Sequence, residues 1–464
     1  MKHEKAEEAW QGLRMASPPD PDALLRQREV LTDLAARPLP ARVRGYLGML
    51  GPGYMQSAMT LGGGTVSAAI FAGAIFGYQL LWVAPLAMVL GLCMLSAISW
   101  QTLSTGRRPW PAMREHAGPF FAWAWALGAL FSSIIWQFPQ YALSSAVLAD
   151  LADLAGYPGV SPGAAGLVVL LWALVVSGLY GHSEWWTRAY ERLLQVMVWG
   201  IVVCFGWVVF RTGIGDWGEL LRGFFVPSVP GTRNGVAGVT LVLSGISAAV
   251  GVNMVFLYPY TLLAKGWGRE HRELSRVDLL LGMAVPYTLA VSLVVIATAN
   301  TLHLEPSYEG MKLSPVEAAQ VLAHGVGPTA GRLVFGIGVL GMALSSITLQ
   351  MLTCGFVAME LLDLTFGSWR HRLATWLPVP GVLGAVYWSD IAVWVAVPTN
   401  IVCGLLLPAA YVGFCLLQRS KAYLGDDRPE GTPGAIWLTA MVAVTVFLLA
   451  FGLWYVLGFG WGFG

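Results

Sequence analysis

Two stretches of glycine and polar residues interrupt apolar parts of the chain, and their composition suits the binding of a small ion. The first is Thr60-Leu61-Gly62-Gly63-Gly64-Thr65, and the second runs from Gly251 to Thr261. Consecutive glycines cost about 1 kcal/mol each in a helix relative to alanine, and Pro259 removes a backbone donor and clashes with the preceding turn. We therefore expect both helices to kink or break here. The candidate substrate-binding residues are Thr60, Gly62, Gly63, Gly64, Thr65, Asn253, Tyr258, Tyr260 and Thr261.

The elements that position these stretches are predicted to be membrane-spanning helices. Of the 464 residues, 56% are hydrophobic and 11% are charged, whereas soluble proteins carry about 25% charged residues. This composition excludes a soluble enzyme and a disordered chain, and the net charge of +1 argues against a nucleic-acid partner. Residues 1–45 are expected to form a cytoplasmic polar arm, and 46–464 a single transmembrane domain. Apolar runs of about 20 residues predict eleven spans, at 46–77, 78–102, 119–149, 163–181, 192–211, 236–264, 277–302, 328–361, 373–391, 392–418 and 434–459.

Basic residues predict the orientation of these spans. Cytoplasmic loops are enriched in Lys and Arg, so we expect the N-terminus inside, the C-terminus outside, and the cytoplasmic membrane of the cell as the location. With that orientation, the Lys and Arg residues outside the cell are Arg211, Arg222, Arg233, Lys312 and Arg332, and all others lie inside.

Ionisable residues are expected to avoid the middle of the membrane. Asp278, Glu360 and Asp363 come closest to the spans, and all three fall near the predicted cytoplasmic face. Intramembrane charges usually mark proton relays and ion pathways, so this pattern argues against a carboxylate-based proton pump. An intramembrane enzyme needs a nucleophile with a base, or a metal with its ligands, at membrane depth. We therefore predict no enzyme activity and no cofactor other than a possible coupling ion.

The two interrupted spans occupy corresponding places in the predicted order, as the first and sixth helices of two five-helix halves. Paired interrupted helices at corresponding positions are the best sequence pointer to a transporter site built from inverted repeats. Broken backbone is not tolerated against lipid, so such a break has to face protein or a water-filled cavity. The glycine run also allows the simpler interpretation of close helix packing through small residues.

Three stretches resemble the natural resistance-associated macrophage protein (Nramp) family of divalent metal transporters. They are Gly51-Pro-Gly-Tyr54, Ala72-Gly-Ala-Ile-Phe-Gly-Tyr-Gln-Leu-Leu-Trp82 and Leu340-Gly-Met-Ala-Leu-Ser-Ser-Ile-Thr-Leu-Gln350. The eleven-span layout with the N-terminus inside also resembles this family. The resemblance covers most of the chain after residue 45. It implies an all-α LeuT-like fold with a 5+5 inverted repeat, broken helices 1 and 6, and alternating access.

The chain departs from the family at the residues that bind metal. The family carries Asp-Pro-Gly-Asn at the first break, and the matching residues here are Gly62, Gly63, Gly64 and Thr65. Gly62 therefore replaces the metal-binding Asp, and Thr65 replaces the metal-binding Asn. At the sixth-span break the family has Met-Pro-His, whereas Met254 here precedes Val255. The resemblance thus implies that none of the family's usual metal ligands is retained.

These departures change the expected substrate. Stripping water from a doubly charged ion without a counter-charge is very costly, and half-helix N-termini present free N–H groups and a partial positive charge. Our first expectation is therefore a secondary-active transporter of a small anion such as bicarbonate. A divalent cation (Mg or Mn) transporter and a non-transporting membrane sensor or scaffold are the alternatives. No obligate protein partner is inferred.

A coupling ion and two buried amides complete the expectations. In LeuT-like transporters a sodium ion sits between the first-span break and hydroxyls of the eighth span. The matching residues here are Met59, Leu61, Ser345, Ser346 and Thr348, although these hydroxyls could instead bond their own helix backbone. Gln137 and Gln140 in the third span are buried amides that need partners, and they either bridge helices or bind substrate.

Overall fold

The structure is a computed structural model that describes residues 13–304, 317–318 and 327–458. The described chain is helical apart from one short antiparallel hairpin, in which Thr232–Arg233 pairs with Val236–Ala237. Nine helices of the described residues are long and apolar enough to cross a membrane. They are Gly63–Leu80, Val83–Thr105, Pro119–Leu154, Glu184–Thr212, Gly238–Ala264, Arg269–Leu304, Thr329–Leu361, Ser389–Arg419 and Gly431–Gly458.

Shorter helices complete the architecture. Pro162–Ser177 is apolar and occupies the place of the predicted fourth span. Pro21–Ala35 and Leu39–Tyr46 form the arm, and Pro109–His116, Trp217–Phe225, Arg272–Asp278, Trp369–Ala374 and Lys421–Leu424 join or extend the spans. Leu279–Ala284 is a π-helical turn within the seventh span. Single 3₁₀ turns lie at Gly77–Leu80, Arg269–His271, Leu302–Leu304, Val379–Leu383, Ser389–Ile391 and Gly425–Asp427.

The first span is divided as the glycine run predicts. It consists of half-helix 1a, Pro52–Thr60, and half-helix 1b, Gly63–Phe76. Gly62 between them is extended, with φ −93° and ψ −178°. Every one of the 14 residues of half-helix 1b is buried, so the break faces protein, as an interrupted backbone at membrane depth requires.

The sixth span is also divided, but the prediction placed the interruption at the wrong residue. Half-helix 6a is Gly238–Ala249 and half-helix 6b is Val252–Ala264, so the break lies at Val250 and Gly251. Pro259 lies inside half-helix 6b. Proline kinks are accommodated in membrane helices because neighbouring groups satisfy the freed carbonyl. Gly251 has an extended backbone at the break. Because glycine has no side chain, a break at Gly251 removes less side-chain packing than a break at Pro259 would.

The predicted ninth span, 373–391, is not one helix. It is divided among Trp369–Ala374, Val379–Leu383, Gly384–Tyr387 and Ser389–Ile391. Prolines 378 and 380 cannot continue a regular helix. Two glycines in this segment approach the third span closely: a Cβ on Gly381 would lie 2.2 Å from Gln137 Cβ, and one on Gly384 would lie 2.1 Å from the Phe138 carbonyl oxygen. The segment is therefore shaped by packing against the third span.

The outer surface of the spans is apolar. Leu171, Val203 and Leu453 lie on three different spans, and each is more than half exposed. Contiguous exposed apolar surface of this extent is not found on soluble monomers. The bilayer is therefore the solvent of this surface, while the interior of the bundle carries the buried polar groups.

Candidate functional site

The two breaks open onto one small central cavity. Its volume is about 20 Å³, which is room for a single water-sized species. Half-helices 1a, 1b and 6b and the end of half-helix 6a contribute to its wall. The third, eighth and tenth of the predicted spans also contribute, and these are the helices Pro119–Leu154, Thr329–Leu361 and Ser389–Arg419. The lining residues are Met59, Thr60, Gly62, Gly64, Thr65, Trp136, Gln140, Ser247, Ala248, Gly251, Asn253, Met254, Ser346, Gln350 and Asn400.

Glycine is required at the first break by close approach rather than by backbone angle. A Cβ on Gly62 would lie 2.5 Å from Gln140 Nε2 and 2.6 Å from Ser346 Oγ. A Cβ on Gly64 would lie 1.9 Å from the Trp136 ring and 2.5 Å from Asn400 Oδ1. These distances are shorter than any van der Waals contact, so spans 3, 8 and 10 occupy the volume that side chains at these two positions would need.

A chain of hydrogen bonds fixes the orientation of the amides around Gly62. The Gly63 N–H donates to Gln140 Oε1 at 2.8 Å, so Gln140 Nε2 is the donor to Ser346 Oγ at 2.9 Å. The Ser346 hydroxyl donates its only hydrogen to the Met59 carbonyl at 3.2 Å. Gln350 therefore presents Nε2 to Ser346 Oγ at 3.2 Å and keeps its carbonyl oxygen free.

Asn400 is oriented in the same manner from the tenth span. Its Nδ2 donates to the Gly64 carbonyl at 3.0 Å and to Ser244 Oγ at 2.8 Å. Asn400 Oδ1 and Gln350 Oε1 are both buried without a hydrogen-bond partner. Unpaired buried acceptors in a polar cavity need an explanation. A ligand or water that interacts with carbonyl oxygens would satisfy both atoms.

The second break adds a sulfur atom to the cavity. Met254 Sδ lies 3.0 Å from Thr60 Oγ1, and the Thr60 hydroxyl is also 2.8 Å from the Ala249 carbonyl. The expectation that no family ligand type is retained therefore needs correction, because a thioether lines the cavity without the Met-Pro-His motif. Asn253 also lines the cavity, and its Oδ1 accepts the Met254 N–H at 3.0 Å.

The structure places three predicted residues elsewhere. Tyr258, Tyr260 and Thr261 lie further along half-helix 6b, because that helix begins at Val252 rather than after Pro259. The Tyr260 hydroxyl accepts the Trp110 N–H at 3.3 Å, and the Thr261 hydroxyl donates to the Tyr258 carbonyl at 2.7 Å. Gly63 contributes its N–H to Gln140, as described above. Thr60, Gly62, Gly64, Thr65 and Asn253 are brought together at the cavity.

The residues proposed for a coupling sodium ion are only partly assembled. The Ser345 hydroxyl lies 3.0 Å from the Ala58 carbonyl, and the Ser346 hydroxyl lies 3.2 Å from the Met59 carbonyl. These oxygens thus face one another between half-helix 1a and the eighth span. Thr348 points away, since its hydroxyl bonds the Ser345 carbonyl and Tyr190. Leu61 is fully buried at the break. The sodium expectation stays a prediction.

The two glutamines of the third span differ in their roles. Gln137 Nε2 donates to the Ile347 carbonyl at 3.0 Å and so bridges the third and eighth spans. Gln140 bridges the same two spans and also lines the cavity. Seven lining residues were not among the predicted site residues, and they are Trp136, Ser247, Ala248, Gly251, Met254, Gln350 and Asn400. A usable signal was available for Gln350, which lies one helical turn after Ser346, and for Asn400, a single amide in an apolar run.

The electrostatics of the cavity are neutral among the described residues. Its lining contains no Asp, Glu, His, Lys or Arg, and no group of three or more His, Cys, Asp or Glu that could hold a metal occurs in the described ranges. The buried carboxylates Asp278, Glu191 and Glu360 lie away from the cavity, although all three are at most 7% exposed. The cavity is therefore lined by neutral polar groups and by the two methionines Met59 and Met254.

A central cavity between two interrupted helices, within an all-α bundle, defines a membrane transporter of the LeuT-fold class. The solved structures that resemble the chain belong to this class. A manganese transporter of Eremococcus coleocola superposes with a TM-score of 0.70 at 14% identity, over 97% of this chain and 92% of that one. MhsT in complex with L-phenylalanine gives a TM-score of 0.54 at 13% identity, over 86% and 97%.

The sequence comparison identifies the family. The model described as natural resistance-associated macrophage protein-like (Nramp) matches residues 53–455, so the chain belongs to the Nramp family, which is a family of transporters rather than enzymes. The divalent metal cation transporter MntH of Bacillus subtilis (strain 168) is 23% identical over 435 residues, covering 89% of this chain and 94% of its own. MntH of Nostoc sp. (strain PCC 7120) is 23% identical over 433 residues, covering 89% and 92%.

Proposed function

We propose that the protein is a secondary-active transporter of a divalent metal cation, which crosses the membrane by alternating access through the central cavity. One observation carries this proposal. Gln140 Nε2 and Gln350 Nε2 each donate one hydrogen bond to a protein acceptor and Asn400 Nδ2 donates two, whereas Gln350 Oε1 and Asn400 Oδ1 accept none. Carbonyl oxygens are ligands that suit Mg²⁺ and Mn²⁺. The MntH relatives, whose names describe divalent metal transport, support the same substrate class.

The geometry favours this cation over the anion that the sequence first led us to expect. An anion such as bicarbonate needs hydrogen-bond donors, and the Gly63 N–H that could supply one is already bonded to Gln140 Oε1. The Asn400 oxygen lies beside Gly64, where the anion would have to approach. Carbonyl oxygens at this position would repel a negative ion.

The neutral lining predicts a weak site. A doubly charged ion keeps a strong preference for water unless ligands replace its hydration shell. Neutral amide oxygens and the Met254 thioether replace less of that interaction than the carboxylate found in the family would. We therefore expect a half-saturating concentration well above that of an otherwise similar site that contains a carboxylate, with Mn²⁺ favoured over Mg²⁺ because the thioether is a soft ligand.

Orientation and coupling are part of the same proposal. The distribution of Lys and Arg supports a cell-membrane location with the N-terminus inside. A sodium ion between the Ala58 and Met59 carbonyls and the hydroxyls of Ser345 and Ser346 is the proposed coupling ion.

The experiment that tests the substrate is uptake into proteoliposomes of the purified full chain. Labelled Mn²⁺, Mg²⁺ and bicarbonate are compared, each with and without a sodium gradient. Asn400→Leu keeps the number and branching of the side-chain heavy atoms but removes the free oxygen and the Nδ2 donor, and Gln79→Leu, an exposed amide outside the cavity, is the control. We expect saturable Mn²⁺ uptake that falls at least tenfold in Asn400→Leu and is unchanged in the control.

Two results would contradict the proposal. Bicarbonate uptake without Mn²⁺ uptake would mean that the cavity binds an anion rather than a divalent cation. If no ion moved through a monodisperse, correctly reconstituted protein, the non-transporting sensor or scaffold would become the better interpretation.

A further inference from the structure

A second, larger cavity lies between the central cavity and the arm. Its volume is about 450 Å³, and the arm residues Met15 to Gln27 contribute to its wall. Half-helix 1a separates the two cavities, because Met59 and Thr60 at its end line the central cavity while Leu47 to Leu50, just before its start, line the larger one. Half-helix 6b does the same, with Asn253 at one cavity and Lys265, directly after its end, at the other.

Half-helix 1a is short and is separated from half-helix 1b by non-helical residues. It has nine residues and ends at the non-helical Leu61, whose ψ is 48°. Nine residues span about 14 Å at 1.5 Å per residue, so a small rotation about the break displaces its other end by several ångströms. An ion leaving the central cavity towards the arm needs such a displacement, since the two half-helices close the way.

Asp278 holds the free end of half-helix 1a. This carboxylate, at the end of helix Arg272–Asp278, is fully buried. Its Oδ1 accepts the Gly51 N–H at 2.9 Å, and its Oδ2 accepts the Gly53 N–H at 2.6 Å. The negative charge therefore sits at the positive end of the half-helix and satisfies two amides that have no partner within the helix.

Half-helix 1a and the seventh span approach each other as closely as two backbones allow. A Cβ on Gly53 would lie 2.1 Å from the Asp278 carbonyl oxygen, and one on Gly282 would lie 3.0 Å from the Tyr54 nitrogen. Gly282 belongs to the π-helical turn Leu279–Ala284, and such turns occur often at functional sites.

An ion pair lies on the other side of the same backbone. Lys265 Nζ is 2.8 Å from Glu191 Oε2, and a Cβ on Gly51 would lie 2.4 Å from that nitrogen and 2.9 Å from that oxygen. The start of half-helix 1a is thus held between Asp278 of the seventh span, Lys265 after half-helix 6b, and Glu191 of the fifth span. Ser99 and Ser275, whose hydroxyls lie 3.0 Å apart, pack close to the Tyr258 hydroxyl in the same region.

We propose that Asp278 is the positioning residue that keeps the arm-side exit closed by anchoring half-helix 1a, and that release of its bonds to Gly51 and Gly53 opens the way between the two cavities. This proposal rests on the proposed transport through the central cavity. Asp278 does not line that cavity, so it acts on the position of half-helix 1a rather than on the ion.

Hydrogen–deuterium exchange of the full chain in lipid nanodiscs tests the anchor without any metal. Asp278→Asn keeps the shape but presents an amide N–H₂ to one of the two backbone N–H donors. Loss of a hydrogen bond to a charged group shifts an opening equilibrium by roughly 10- to 150-fold, so exchange within residues 52–60 should accelerate by about that factor. Glu270→Gln, an exposed carboxylate in the same segment, is the control and should leave exchange in 52–60 unchanged.

Gly53→Ala tests the same contact from the other partner. Its Cβ would displace half-helix 1a while the carboxylate stays, so it should accelerate the same peptides. The double variant should add little, because both changes break one interaction. Transport separates anchoring from general damage: Asp278→Asn should change the maximal uptake rate while the half-saturating Mn²⁺ concentration stays within about twofold of the parent.

The outcomes distinguish the anchor from the substrate. Exchange that accelerates in 52–60 alone supports the anchor, even if the parent moves no Mn²⁺, and in that case only the divalent-cation proposal fails. Unchanged exchange in both variants with intact uptake overturns the anchor. Acceleration spread evenly over all spans also overturns it, since that result means general destabilisation.

Discussion

Restoring the family's carboxylate at the first break should not restore a strong metal site. Gly62 takes the place of the Asp that the resemblance assigns to metal binding, yet a Cβ there would lie 2.5 Å from Gln140 Nε2, 2.6 Å from Ser346 Oγ and 2.9 Å from Ser346 Cβ. Overpacking a tight site costs about 1–3 kcal/mol. Breaking the bond between Gln140 and Ser346 costs about 1 kcal/mol more. We expect Gly62→Ala to lower the free energy of unfolding by about 2–4 kcal/mol, and Gly62→Asp by at least as much.

The assay compares unfolding and Mn²⁺ uptake in the same preparations. Because the clash arises at Cβ, the alanine and aspartate variants should lose stability and uptake alike, and the added carboxylate should bring no gain. Gly215→Ala and Gly215→Asp are the controls, since Gly215 is exposed, lines neither cavity, and a Cβ there would meet nothing within 4 Å. If Gly62→Asp were as stable as the parent and took up Mn²⁺ at lower concentrations, the reasoning from close approach would be refuted.

Three further predictions concern Gly64, Ser346 and His371. Gly64→Ala should reduce Mn²⁺ uptake at least tenfold, because its Cβ would lie 1.9 Å from the Trp136 ring. Ser346→Ala should abolish any sodium-dependent part of uptake, measured with and without a sodium gradient, since it removes the hydroxyl beside the Met59 carbonyl. Burial lowers the pKa of the His371 imidazole, which lies outside the spans, to about 4. The unfolded chain takes up this proton near pH 6.5, so stability is retained above that pH and falls towards pH 4, by about 2 kcal/mol between pH 7 and pH 5. His371→Gln should flatten this pH dependence of unfolding.

Local backbone cost explains which break could be located from the sequence. Three glycines in succession weaken a helix wherever it lies, and the interruption at Gly62 follows directly. Pro259 gave a stronger local signal than Gly251, but its effect depends on whether neighbours satisfy the freed carbonyl. Half-helix 6b continues through this proline to Ala264. The site was therefore displaced along half-helix 6b in the prediction.

The other walls of the cavity depend on contacts between distant parts of the chain. Asn400 reaches Gly64 across 336 positions, and Ser346 reaches Met59 across 287. Apolar periodicity identifies a span but does not show which face of it meets another span. A single amide in an apolar run indicates only that a partner exists. The resemblance to the family likewise shows that Gly62 replaces a carboxylate. It does not show that the Gln140 side chain occupies the space that a side chain at position 62 would need.

Hydroxyl groups are further ligands that the cavity could offer to the proposed cation. The hydroxyl hydrogens of Thr60, Thr65 and Ser346 rest on the carbonyls of Ala249, Thr60 and Met59. Each hydroxyl can rotate, and one rotation makes both its own oxygen and the released carbonyl available, at a cost of about 1 kcal/mol for the hydrogen bond that is lost. A rotated hydroxyl can also donate to an anion, so hydroxyl rotation alone does not select the sign of the charge. Under the proposed function, the preference for a cation therefore depends on groups that can only accept, which are the released carbonyls and the unpaired oxygens Gln350 Oε1 and Asn400 Oδ1.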